Sequence, residues 1–157
     1  MNYYNTLELL LANSSWKKAN KETQQLMMKW AKCEEKEWLD REGIKKIDLA
    51  KLRRIDTLWM DASNKHFGFS IQKQIYLELD ETREPNKEVY NKFAKKVGWR
   101  INNKWLNHKS LIWNLESPRG HLPSFGTFFY NRFYQEGIFN YYSIQIMFEL
   151  FFLHPDF

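Results

Sequence analysis

Apolar residues recur at α-helical spacing in five stretches of the first hundred positions, each closed by a turn signal. This commits the chain to a helical fold. Residues 3–12 carry Tyr4, Leu7, Leu10 and Leu11 before the break at Asn13-Ser14-Ser15, whose serines are placed to cap the next helix. From Trp16 to Cys33 the positions Trp16, Ala19, Leu26, Met27 and Trp30 keep near a 3.6-residue period, with lysines and glutamines opposite. Asp48 is placed to cap a third helix carrying Leu49, Leu52, Ile55, Trp59 and Ala62, which ends at Asn64. Ser70 is placed to cap a fourth with Ile71, Ile75 and Leu79. Glu84-Pro85-Asn86 then separates a fifth, with Val89, Tyr90, Phe93, Ala94 and Val97, before Gly98.

Two stretches break the period. Glu34 to Ile47 mixes charges with isolated Trp38, Leu39, Ile44 and Ile47 around Gly43, and Trp99 to Pro123 holds Trp105, Trp113, Pro118 and Gly120 without lasting periodicity. Both read as long inter-helix loops, and long ordered loops in a compact domain usually serve function. Residues 124–157 hold 13 aromatics, with Phe125, Phe128, Phe129 and Phe133 at helical spacing. No internal repeat or low-complexity linker appears. The expected organisation is therefore one domain over 1–157, with a core of about 3–135 and an aromatic tail at 136–157.

Composition narrows the function without choosing it. Aromatic residues make up 17% of the 157 residues, enough to wall a flat conjugated ligand as well as a core. The net charge of +5 arises in residues 1–100, where 20 Lys and Arg face 15 Asp and Glu; residues 101–157 hold four of each. That excess is dispersed over amphipathic segments, which argues for solvated helix faces over a nucleic-acid groove. The single cysteine, Cys33, excludes an internal disulfide and fits a reducing compartment. The amino terminus has neither the basic-then-apolar form of a signal peptide nor the acid-poor composition of a transit peptide, so the chain is expected to act where it is made. The run from Ile138 to Phe157 is interrupted by Asn140, Gln145 and Glu149, short of a membrane span.

The standard signatures of metal hydrolysis, phosphate cradling, dinucleotide binding and acyl transfer are absent: no HExxH, paired CxxC, GxxxxGK[ST], GxGxxG or GxSxG occurs. His66, His108, His121 and His154 are scattered, with no i, i+4 pair to share a metal. His121, between Gly120 and Leu122-Pro123, reads as a hydrogen-bonding pin for its loop. His108, between Trp105 and Trp113, is placed either to face a ligand or to be structural. Trp99 and Trp113 read as anchors into the core, while Trp105, flanked by Lys104 and Asn107 within two residues, looks more available.

Ile55-Asp56-Thr57-Leu58-Trp59, followed by Ser63-Asn64-Lys65-His66-Phe67-Gly68-Phe69-Ser70-Ile71-Gln72, closely resembles the core motif of the Genomes Uncoupled Four family, ID-x-LW then SNG-x-FGFS-x-Q. Trp38-Leu39, Val97-Gly98-Trp99-Arg100 and Ser117-Pro118-Arg119-Gly120-His121-Leu122-Pro123, similar to the family's AP-x-GHLP, extend the resemblance over about the whole chain. It implies an all-α, single compact helical domain shaped like a cupped hand, with two long inter-helix loops over a hydrophobic palm. It also implies a non-enzymatic regulator with no required cofactor and no catalytic residue, binding protoporphyrin IX and magnesium protoporphyrin IX, with linear bilins as a further ligand class. The implied partner is the large porphyrin-binding subunit of magnesium chelatase, stimulated for chlorophyll synthesis. The expected setting is the plastid stroma, with peripheral membrane association, or the cytoplasm of a cyanobacterium. A monomer without nucleic acid is expected.

By motif position, the resemblance implies a porphyrin site of Trp105, His108, Leu111, Leu122, Phe125, Phe128 and Arg132, with Leu39 and Arg41 from the first loop. Arg132 is the one Lys or Arg in residues 124–157, placed where the family has propionate-contacting arginines. The chain departs from the pattern at three places: Lys65 stands for the glycine of SNG, His108 for a tryptophan or other aromatic, and Phe129 for a second arginine.

Overall fold

The computed structural model describes residues 3–36, 39, 41–80 and 86–124. These form the helices α1 (Asn5–Ala12), α2 (Trp16–Ala31), α3 (Arg41–Ile44), α4 (Leu49–Ala62), α5 (Phe69–Leu77) and α6 (Lys87–Lys96), followed by a hairpin of β1 (Arg100–Ile101) and β2 (Lys104–Trp105). Helix α1 packs on α2 and α4, α2 on α3, α4 on α5, α5 on α6, and α6 on β1. The expected helical fold is what forms, because each periodic stretch buries its apolar stripe: Trp16, Ala19, Leu26 and Met27 from α2, Leu52, Ile55 and Trp59 from α4, and Val89, Tyr90, Phe93 and Ala94 from α6. Trp16 meets Phe67 edge-on at 5.3 Å, and the Trp59 indole Nε1 donates to Thr23 Oγ1 at 2.9 Å. A buried polar tip thus keeps its hydrogen bond, at a position whose ring burial contributes roughly 2–3 kcal/mol.

Caps distinguish the helix starts. The Asp48 side chain accepts from Ala50 N, as expected, and Asn86 Oδ1 accepts from Glu88 N and Val89 N. The serine before α2 does not act this way: Ser15 stands at the N-cap with no side-chain hydrogen bond. Ser70 is no cap either. Helix α5 begins at Phe69 behind Gly68, and Ser70 lies in its first turn, where its N–H and hydroxyl both donate to the Asp56 carboxylate. Leu79 falls beyond the end of α5.

Both loops hold more regular structure than their lack of periodicity suggests. The first contains a 3-10 turn over Glu34–Lys36 and the short α3; Leu39 is buried. The second contains the hairpin and a 3-10 turn over His108–Ser110. The hairpin turns on Asn102 and Asn103, both in the left-handed region with φ of 49° and 61°, the two-residue geometry asparagine tolerates best among residues with a Cβ. Lys65 shares that region at φ 59°, which explains the glycine of the related motif; a lysine there costs about 1–2 kcal/mol.

The end of the second loop is clasped from several elements. Four consecutive carbonyls, Gly120 to Pro123, each receive a donor: Gln72 Nε2 to Gly120 O at 3.0 Å and to Pro123 O at 2.9 Å, Trp99 Nε1 to His121 O at 2.8 Å, and Gly68 N to Leu122 O at 3.0 Å. Gly120 N donates to His66 O at 2.9 Å, His66 Nε2 meets Ser117 O at 2.8 Å, and Ser124 N donates to Asn20 Oδ1 at 2.7 Å. Gly120, at φ +78°, lies so close to α5 that an added Cβ would stand 2.8 Å from Ile75 Cδ1. Buried carbonyls left without donors cost about 1–3 kcal/mol, so Gln72→Leu, which strips two of them, is expected to lower stability by about 2 kcal/mol or more in urea unfolding. A loss under about 0.5 kcal/mol would show that the clasp is not what holds this segment.

Candidate functional site

The clasp gives the second loop an inner side and an outer side. On the inner side Trp99 and Leu122 are wholly buried and Leu111 nearly so. Trp99 is thus the expected core anchor. Leu111, Leu122 and, from the first loop, Leu39 are core positions. On the outer side stand aromatic residues that are only partly buried. Trp105 is half-buried, its ring 5.6 Å from Tyr90 with the Arg100 guanidinium 5.9 Å over it. Trp113, expected as an anchor, is only partly buried against the core, and its ring lies 4.9 Å from that of His108. Its indole N–H is buried without a hydrogen-bond partner among the described residues.

Sequence reasoning missed the exposed aliphatics of this loop. Of five large hydrophobics exposed among the described residues, Ile101, Ile112 and Leu115 lie here, at 49%, 40% and 50% exposure. The available signal was position: all three lie in a nonperiodic stretch, Ile101 and Leu115 between polar residues, where no helical stripe requires them inside. Arg41 opens α3, and its side chain is not described. Phe125, Phe128 and Arg132, like Trp38, lie outside the described residues.

The two loop histidines differ in chemistry. His121 is wholly buried, with Nδ1 2.7 Å from Val97 O and Nε2 accepting from Ile112 N at 3.2 Å. A neutral ring with its proton on Nδ1 satisfies both contacts, so His121 is the expected pin. Burial holds its pKa below the ordinary histidine value; the bond to Val97 opposes that shift and the nearby His66 adds to it. His108 is half-buried on a turn locked by Asn107, whose Oδ1 accepts from Lys109 N, Ser110 N and Ser110 Oγ. Burial, and then the charge of Lys17, push its pKa down. Asp56, tied to Ser70, has its carboxyl pushed up by burial, with the Ser70 and Phe69 hydrogen bonds acting against it. Among the described residues no group of three His, Cys, Asp or Glu could hold a metal ion, and no helix is long and apolar enough to cross a membrane.

The GUN4-like family profile matches residues 1–139, the span that contains the clasp and both loops. The chain belongs to this family. Among its relatives, ycf53 of Porphyra purpurea is 38% identical over 123 residues, covering 76% of this chain and 49% of that protein. The chloroplastic tetrapyrrole-binding protein of Arabidopsis thaliana is 26% identical over 132 residues, covering 76% and 47%. The chain thus spans about half the length of the curated relatives it matches. The structure of GUN4 from Chlamydomonas reinhardtii superposes with a TM-score of 0.71 at 28% identity, covering 97% of this chain and 88% of that one. Family membership and the clasp coincide: Asp56, Gly68, Ser70, Gln72, Gly98, Trp99, Gly120 and His121 build the scaffold, and the outward residues of 101–115 ride on it.

The lowered pKa of His121 fixes the sign of a pH effect. The unfolded ring titrates near its ordinary value of about 6.5 and the folded ring below it, so the stability it contributes is complete above about 6.5 and is lost as pH falls through the folded value. The stability gap between wild type and His121→Gln is therefore expected to shrink as urea unfolding is repeated from pH 7.5 down to pH 5. Asp56 titrates alike in both proteins and cancels from the difference. A gap that stays constant would contradict a neutral, doubly bonded His121.

Proposed function

We propose that this chain is a non-enzymatic porphyrin carrier that binds protoporphyrin IX and magnesium protoporphyrin IX and stimulates magnesium chelatase through its large porphyrin-binding subunit. The reading is supported by family membership, with a relative that is a tetrapyrrole-binding protein of chloroplasts, and by the half-buried aromatic surface on the clasped second loop. A porphyrin is a broad apolar plate with two propionates, so its site needs aromatic and aliphatic walls and a cation at the rim. Trp105 and Trp113 supply flat faces, His108 adds an imidazole beside Trp113, Ile101, Ile112 and Leu115 supply exposed aliphatic surface, and Leu111, Leu122 and Leu39 back it from the core. Phe125 and Phe128 extend the wall, Arg132 pairs with a propionate, and Arg41 adds a second cation from the first loop. Neither metal nor cofactor is required for this binding. Linear bilins, also flexible conjugated dicarboxylates, belong to the same ligand class. The setting proposed is a plastid or cyanobacterial cell, with peripheral membrane contact and a monomeric chain.

Titrating the purified protein with water-soluble deuteroporphyrin IX is expected to shift the Soret band and quench tryptophan fluorescence, saturating at micromolar ligand. Trp105→Ala is expected to weaken binding by about tenfold or more, the cost of an aromatic face, and Arg132→Ala by a similar factor through the lost carboxylate contact. Absence of any saturable change in the wild type overturns the reading.

A further inference from the structure

Of the three described histidines, two spend ring nitrogens on the loop: His66 on Ser117 O, and His121 on Val97 O and Ile112 N. His108 makes no hydrogen bond through its ring among the described residues, although it is half-buried. Its backbone is fixed in advance, because the three hydrogen bonds to Asn107 Oδ1 lock the turn that carries it. Its ring lies 4.9 Å from Trp113, within the aromatic surface assigned above to the face of the macrocycle. Lys17 and burial disfavour a proton on it, which leaves a nitrogen lone pair in search of an acceptor of electrons.

We infer that His108 is an axial ligand for the central metal of a bound metalloporphyrin, so that this chain prefers a porphyrin carrying a divalent ion over the metal-free ring. The inference rests on the porphyrin reading above and deepens it. Imidazole nitrogen suits a divalent ion such as zinc, and a macrocycle supplies four equatorial nitrogens, so one protein ligand completes a five-coordinate site. The histidine stands where the related motif carries an aromatic, so the exchange keeps a flat ring against Trp113 and adds a donor atom. No covalent or redox step is involved; a lone pair enters an open coordination position.

The test compares zinc deuteroporphyrin IX with metal-free deuteroporphyrin IX, each titrated into the wild type, His108→Ala and His108→Phe; the phenylalanine retains a ring for Trp113 to pack on. The wild type is expected to bind the zinc form about tenfold more tightly than the metal-free form. Its bound zinc porphyrin is expected to show the red-shifted Soret band of an imidazole adduct. Both variants are expected to lose the red shift and to bring the ratio of zinc to metal-free affinity down to about one, whatever they lose in metal-free binding, and His108→Ala to regain the red shift when free imidazole is added. A preference and red shift that survive in both variants, or a wild-type complex without the red shift, overturn the inference while leaving porphyrin binding intact. No saturable binding of either porphyrin overturns the proposed function and the inference together.

Discussion

The structure depends on how four successive carbonyls, from Gly120 to Pro123, are satisfied away from water. A loop that turns back into a helical core brings peptide groups with it, and each must find a donor there or cost about 1–3 kcal/mol. The donors come from separate places in the chain: Gly68 N ahead of α5, the Gln72 amide within α5, and the Trp99 indole after α6. The glycines let these parts approach. A Cβ on Gly98 would stand 2.8 Å from Pro118 Cγ, and one on Gly68 2.9 Å from Asp56 Oδ1. With the end of the loop fixed in this way, its remaining residues can present Trp105, His108 and Trp113 half out of the core. Chain length is thus exchanged for position: the clasp at 117–124 holds the proposed ligand surface at 101–115.

This division of labour explains why the motif residues are so legible and the site residues are not. Asp56, Ser70, Gln72, Gly120 and His121 answer to fixed backbone geometry, and fixed geometry leaves a spaced, type-specific trace in sequence. Resemblance through such residues identifies the scaffold. It points to the ligand only through what relatives carry on it. The surface residues answer to a looser demand for flat and apolar area, which Trp, His, Ile or Leu can each meet, so their positions carry little pattern. Leu111 and Ile112 illustrate the limit. Both are aliphatic and adjacent, yet Leu111 is 5% exposed and Ile112 40%, a distinction that no local pattern records.

The helices were legible for the opposite reason. Amphipathic periodicity is a local record of a tertiary fact, and the stripes on α2, α4 and α6 placed most of the core residues, while Ala62 is exposed and Trp30 and Leu49 are only partly buried. Local signals failed where another partner outcompeted them. Ser70 has the chemistry of a cap but is held by the Asp56 carboxylate, and Ser15 occupies a cap position without using its hydroxyl. The hairpin at 100–105 was hidden because its strands are two residues long and its turn is Asn-Asn, a weaker signal than Asn-Gly.

Amide hydrogen exchange with and without deuteroporphyrin IX tests most directly whether a preformed polar clasp holds the proposed ligand surface. The amides of Gly68, Gly120 and Ser124 are expected to be protected in the free protein and little changed by ligand, while residues 101–113 gain protection on binding. Clasp amides that exchange freely until porphyrin is added, or ligand-induced protection that spares 101–113, would contradict it.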